Sequence, residues 1–279
     1  MKAAARSFQV EYAIEAALLG IFMIAACGFT VLLEHPASPV RLMLPDPVIR
    51  RMLMGLAMGS TAVTLIYSPW GKRSGAHMNP AVTLTFARLG KVAPRDAALY
   101  AAGQFVGGLA GVLVASLAFG ELLADRATNY AATLPGPPGL VVAFGAEALI
   151  TFVLMSVILV VSNHPRWARL TGLCAGLLVA IYITVEAPLS GMSMNPARTF
   201  GPVAFTRDWT ALWIYFVAPP LGMLAAAEVY VRWRGREAVF CAKLCHAEPC
   251  RFCEWRVAEG RHGGTVEGSV VALGMRRSH

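Results

Sequence analysis

Residues 16–33, 52–70 and 170–185 carry no Asp, Glu, Lys or Arg, and 141–162 carries only Glu147. A hydrocarbon core about 30 Å thick is crossed by roughly 20 helical residues. In lipid, a backbone must satisfy its own N–H and C=O groups, and a helix does so within one segment. The runs therefore predict membrane-spanning helices. The alternative, a large soluble all-helical core, would carry about 25% charged residues; this chain carries 14%.

Six spans are expected, at 8–33, 48–70, 94–120, 139–162, 168–188 and 210–232. Lys2 and Arg6 give a basic start, but Glu11 and Glu15 interrupt the apolar run and no A-x-A cleavage site closes it. The first span is read as retained. With six spans, 18 of the 24 Lys and Arg residues fall on the face that bears both termini. The positive-inside rule then puts both termini in the cytoplasm of a plasma (inner) membrane protein, although the tail from Arg232 onward supplies half of that bias. The net charge of +8 does not indicate nucleic acid, because no basic patch interleaves with exposed aromatics on a soluble domain.

Two segments between spans are too apolar for solvated loops and too short to cross. The first contains SGAHMNPAVT from Ser74, the second SGMSMNPART from Ser190. Each is polar and glycine-rich, then turns apolar after Asn-Pro-Ala. Proline is favoured in the first turn of a helix, and asparagine is a good N-cap. Asn79, Pro80, Ala81 and Asn195, Pro196, Ala197 thus each read as a re-entrant loop that feeds a half-helix.

The halves echo each other. Glu15 lies in span 1 and Glu147 in span 4, and each is followed by a second span, an Asn-Pro-Ala segment and a third span. Three spans per half reverse the entry side of the second half, which makes an inverted repeat. The fold class is an all-α membrane protein with six transmembrane helices and two re-entrant half-helices. The expected domains are a channel domain at 1–232, with halves at about 8–120 and 139–232, and a cytosolic, Cys-rich basic tail at 233–279. Gly103, Gly107 and Gly111, Gly55 and Gly59, and Gly172 and Gly176 recur at helix-contact spacing and read as packing positions.

Two half-helix N-termini meeting at the midplane present unpaired N–H groups and about half an elementary charge each. The Asn79 and Asn195 amides can donate to a passing oxygen, while cations are repelled. A water that accepts from both and turns its own hydrogens outward does not relay a proton. Arg198 stands where the first copy has Val82. At membrane depth an arginine faces water or pairs, and here it is expected to line the outer mouth. Glu15 and Glu147 have two readings, proton relay or structural acceptor for the loops. His77 is expected beside the inner approach, as a pore-lining or a loop-packing group.

These two loops resemble the signature loops of the major intrinsic protein family, the aquaporins and glycerol facilitators, over about residues 8–232. The resemblance implies a homotetramer with one pore per subunit and no required cofactor. It also implies that Glu15 and Glu147 support the loops. It assigns Met58, Ile183, Met192 and Arg198 to the four constriction positions. That set departs from water channels, which usually hold Phe and His at the first two, and lacks the aromatic wedge of glycerol facilitators. Thr199 and Val203, and the Tyr215–Phe216 pair, lean towards aquaporins. The implied function is passive passage of water and small neutral solutes (glycerol, hydrogen peroxide, ammonia, metalloid hydroxides), with ions and protons excluded. A solute facilitator with incidental water flux, a proton-coupled transporter and a non-conducting scaffold are the alternatives. No nucleophile–base pair or phosphate loop suggests an enzyme.

Cys27 and Cys174 fall within spans and read as small apolar residues. Cys241, Cys245, Cys250 and Cys253 cluster in the tail, in CAKLCHAEPCRFC. In a cytosolic tail disulfides are disfavoured. Four such thiols can hold zinc or an iron–sulfur cluster, but only the C-x2-C end has familiar ligand spacing. Unliganded, redox-sensitive thiols are the other reading.

Overall fold

A computed structural model describes residues 2–245, with side chains from Gln9 onward. Eight helices carry the fold: α1 (Lys2–Glu34), α2 (Pro47–Tyr67), α3 (Pro80–Arg88), α4 (Pro94–Phe119), α5 (Leu140–Ser162), α6 (Thr171–Val185), α7 (Pro196–Thr206) and α8 (Leu212–Arg234). Six are long and apolar enough to cross a membrane; α3 and α7 are the two short ones.

Two spans stop three residues short of expectation. Span 2 stops at Tyr67 rather than residue 70, because Ser68 caps a new short helix that starts at Pro69 and runs to Ser74. The Ser68 hydroxyl oxygen accepts the Gly71 N–H at 3.0 Å. A proline that has lost its N–H and fixes φ suits that first turn. Span 5 stops at Val185 rather than residue 188, before a second short helix, Ala187–Ser190. These two short helices occupy matching places in the two halves.

α1 packs along α4, α5 along α8, and α2 meets α6 across the halves. Close approach sets these contacts. A Cβ on Gly107 would stand 2.0 Å from the Ala16 carbonyl oxygen, and one on Gly59 would stand 2.5 Å from that of Gly176. Small residues at such crossings let backbones approach, since no hydrophobic drive separates helix from lipid. The outward faces are apolar: Leu117 is 79% exposed and Val141 86%. The interior instead buries Glu15, Glu147, Gln104 and Thr83. Apolar outside and polar inside is the arrangement a lipid solvent demands. Cys27 is buried, whereas Cys174 is only partly so.

Candidate functional site

Each re-entrant loop holds three residues in left-handed backbone. Gly75 (φ 105°) is followed by Ala76 (55°) and Met78 (48°); Gly191 (79°) is followed by Met192 (53°) and Met194 (56°). Such a conformation costs roughly 1–3 kcal/mol at a non-glycine residue and persists only if its surroundings hold it. The buried carboxylates do so. Glu15 Oε1 accepts from the Ser74 hydroxyl (2.7 Å) and the His77 N–H (3.1 Å). Its Oε2 accepts from the Met78 N–H (2.6 Å) and the Gln104 amide (2.8 Å). Glu147 repeats the pattern with the Ser190 hydroxyl (2.8 Å) and the N–H groups of Ser193 (2.6 Å) and Met194 (2.7 Å). Tyrosine hydroxyls close both loops: Tyr100 donates to the Ser74 carbonyl (2.7 Å) and Tyr215 to that of Ser190 (2.5 Å). Phe216 points elsewhere, half-exposed and stacked on Phe105.

Asn79 and Asn195 cap α3 and α7. Asn79 Oδ1 accepts from Ala81 N–H (2.8 Å); Asn195 Oδ1 accepts from Ala197 (3.0 Å) and Arg198 (3.2 Å) N–H groups. Pro80 and Pro196 fill the first helical positions, where no N–H is missed. Each asparagine also donates across the repeat, Asn79 to the Met194 carbonyl and Asn195 to that of Met78, both at 2.7 Å. A carboxamide has two hydrogens. One is taken by the opposite half, and the other is left for whatever occupies the cavity that both residues line.

That cavity has a volume of about 360 Å³. Met58, Ile183, Met192 and Arg198 all line it, as do His77 and Val82. Met58 and Met192 are buried, at 3% and 6% exposure. Arg198 Nη1 donates to the Ala131 carbonyl at 2.7 Å. Ala131 ends a turn, Asn129–Ala131, whose three residues all have positive φ. The connector between the halves thus orients the guanidinium, a role its Pro-Gly-rich sequence did not announce. His77 both lines the cavity and packs. Its Nε2 donates to the Ala242 carbonyl (2.6 Å), Nδ1 lies 3.0 Å from Thr83 Oγ1, and the ring stacks on Phe86 at 5.2 Å.

Sequence reasoning missed three participants. Gln104 joins Glu15 to Thr83 (3.1 Å to its Oγ1), and a lone amide in an apolar span was the available signal. Ser74 and Ser190 anchor the carboxylates; their signal was the shared Ser-Gly. The third, the segment 239–245, packs against the end of α5, the short helix Pro69–Ser74 and the first re-entrant loop, and its apolar run VFCAKLC within a hydrophilic tail was the available signal. Its Cys241 and Cys245 are buried. Among the described residues no three metal-ligating side chains converge, and Cys250 and Cys253 lie outside the described residues.

Residues 5–230 match the family model described as major intrinsic protein. The chain is 33% identical over 226 residues to a protein of Oryza sativa subsp. japonica named Aquaporin NIP1-3, covering 80% of this chain and 74% of that one. It is 36% identical to Aquaporin NIP1-2 of Arabidopsis thaliana, covering 64% of this chain and 62% of that one. The fold matches the X-ray structure of the aquaglyceroporin from Plasmodium falciparum with a TM-score of 0.65 at 22% identity, over 80% of this chain and 96% of the other.

Proposed function

Because this chain belongs to the major intrinsic protein family, integral membrane channels for water and small neutral solutes rather than enzymes, we propose that the cavity between its two Asn-Pro-Ala caps is the permeation path. No cofactor is needed for such passage. The observation that carries the reading is the pair of half-committed carboxamides, Asn79 and Asn195, facing one cavity that Arg198 also lines.

The two caps present donors and two positive helix ends to the same point. A water oxygen accepts there, its hydrogens turn outward, and the proton wire is interrupted. A cation meets the helix ends and the Arg198 guanidinium; both oxygens of Glu15 and of Glu147 are taken up by the loops, and Glu34, which also lines the cavity, is paired with Arg50. That engagement favours support over proton relay, and so a passive channel over a coupled transporter.

Met58, Ile183, Met192 and Arg198 form the constriction in this reading. Three of the four offer no strong hydrogen-bond partner, and methionine is adaptable in shape. A ring of this kind admits glycerol-sized neutral solutes as well as water, hydrogen peroxide, ammonia and metalloid hydroxides. The relatives are named as NIP aquaporins, and the solved structure as an aquaglyceroporin. The second reading, a solute facilitator with incidental water flux, draws on those same three side chains.

The reading further places the chain in the plasma (inner) membrane as a homotetramer with one pore per subunit, both termini in the cytoplasm and residues 233–279 as a tail. Stopped-flow light scattering on proteoliposomes tests it, first under an osmotic gradient and then under a glycerol gradient. Shrinkage no faster than that of empty liposomes would sink the channel reading. Uptake driven by a proton gradient would favour the coupled transporter.

A further inference from the structure

We propose that residues 239–245 are a built-in gate, closing the pore at the face that bears the termini. After α8 the chain turns at Gly235 (φ 84°), makes a 3-10 turn at Arg236–Ala238, and then doubles back onto the channel. Val239 and Ala242 are completely buried there.

Four polar contacts seat the segment. The Phe240 N–H donates to Asn163 Oδ1 at the end of α5 (2.7 Å), and the Leu244 N–H donates to the Gly75 carbonyl (3.1 Å). Lys243 Nζ donates to the Lys72 carbonyl (2.7 Å), and His77 Nε2 to that of Ala242 (2.6 Å). Three of these four reach the first re-entrant loop or the short helix that leads into it.

Leu244 and His77 carry the consequence for the pore. Leu244, 4% exposed, lines the same cavity as Asn79, Asn195 and His77. His77 Nε2, a donor at the pore wall, is spent on a backbone carbonyl instead of a solute oxygen. In a narrow channel an apolar side chain placed on the path gives water no partner, and such constrictions close by dewetting. The polar seating contacts are few and mostly to backbone oxygens, the rest of the seating is apolar packing of Val239, Cys241, Ala242, Leu244 and Cys245, and the segment is joined to the channel through a single glycine turn. It can therefore leave as a unit without unfolding the loop, which Glu15 holds independently.

The test compares osmotic water permeability per reconstituted channel for the native chain, a chain ending at Ala238, and Leu244→Gly. If the seated state outweighs the released one about tenfold, removing the segment raises permeability about tenfold, with a smaller rise for Leu244→Gly. Permeability of the shortened chain equal to or below that of the native chain, or silence of all three, overturns the gate. Should the shortened chain not reconstitute, Leu244→Gly and Leu244→Asp in the full chain decide the matter. A second readout does not depend on flux: maleimide labelling of Cys241 and Cys245, followed by mass spectrometry. Both thiols are buried when the segment is seated. Leu244→Asp should label them several-fold faster than the native chain, and an unchanged rate counts against release.

Discussion

Asn79 and Asn195 each donate an amide hydrogen to the carbonyl oxygen of the methionine that precedes the other asparagine, at 2.7 Å in both directions. The two half-helix caps are therefore one reciprocal unit. Neither loop can shift without breaking a bond held by the other.

That reciprocity makes Asn79→Asp informative. The carboxylate still accepts from the Ala81 N–H, so α3 keeps its cap. It can no longer donate, and it sets a negative oxygen against the Met194 carbonyl. Stability should fall by about 1–3 kcal/mol, the cost of a buried polar group left unpaired. Water permeability should fall and cation exclusion weaken. Thermal unfolding in detergent, with stopped-flow and ion-flux assays on the same preparation, checks all three effects.

Glu147→Gln separates loop support from proton relay. Glutamine offers one acceptor oxygen and turns an NH₂ towards the N–H of either Ser193 or Met194. Losing a hydrogen bond to a charged group costs about 1.5–3 kcal/mol. The expected outcome is a lower unfolding temperature, with no proton-coupled uptake in either native or variant protein. Proton-driven uptake that disappears in the variant would restore the relay.

Met58→Phe combined with Ile183→His should narrow and polarise the constriction. Glycerol flux should fall while water flux is kept. Both side chains line the cavity, so an unchanged glycerol flux would remove them from the filter.

The tail thiols have a separate test. Cys241 and Cys245 are buried against the channel, an arrangement that competes with a shared site built with Cys250 and Cys253. Metal content after purification under reducing conditions should be substoichiometric, and equal in a Cys250→Ser/Cys253→Ser variant. Stoichiometric zinc or iron in the native chain alone would establish a metal centre.

The helices, their order and the caps were legible in the sequence because their causes are local. Apolar length decides a span, an asparagine beside a proline decides a helix start, and the duplication of Ser-Gly…Asn-Pro-Ala implies the inverted repeat. The ends of α2 and α6 were misjudged by a few residues, because Pro69 and the turn after Val185 begin new short helices within apolar sequence.

By itself, then, the sequence determined the six spans, the two half-helices and the chemical character of the residues at the caps. Only the tertiary structure decided which groups those residues meet: Asn79 with Met194, Arg198 with Ala131, Glu15 with Gln104, and Leu244 with the pore. Asn79 and Met194, Arg198 and Ala131, and Glu15 and Gln104 each lie more than sixty residues apart in the chain. Their meeting is set by how closely small residues let helices approach. The apolar run VFCAKLC in an otherwise hydrophilic tail likewise shows where it packs only when the shape of the surface that receives it is known.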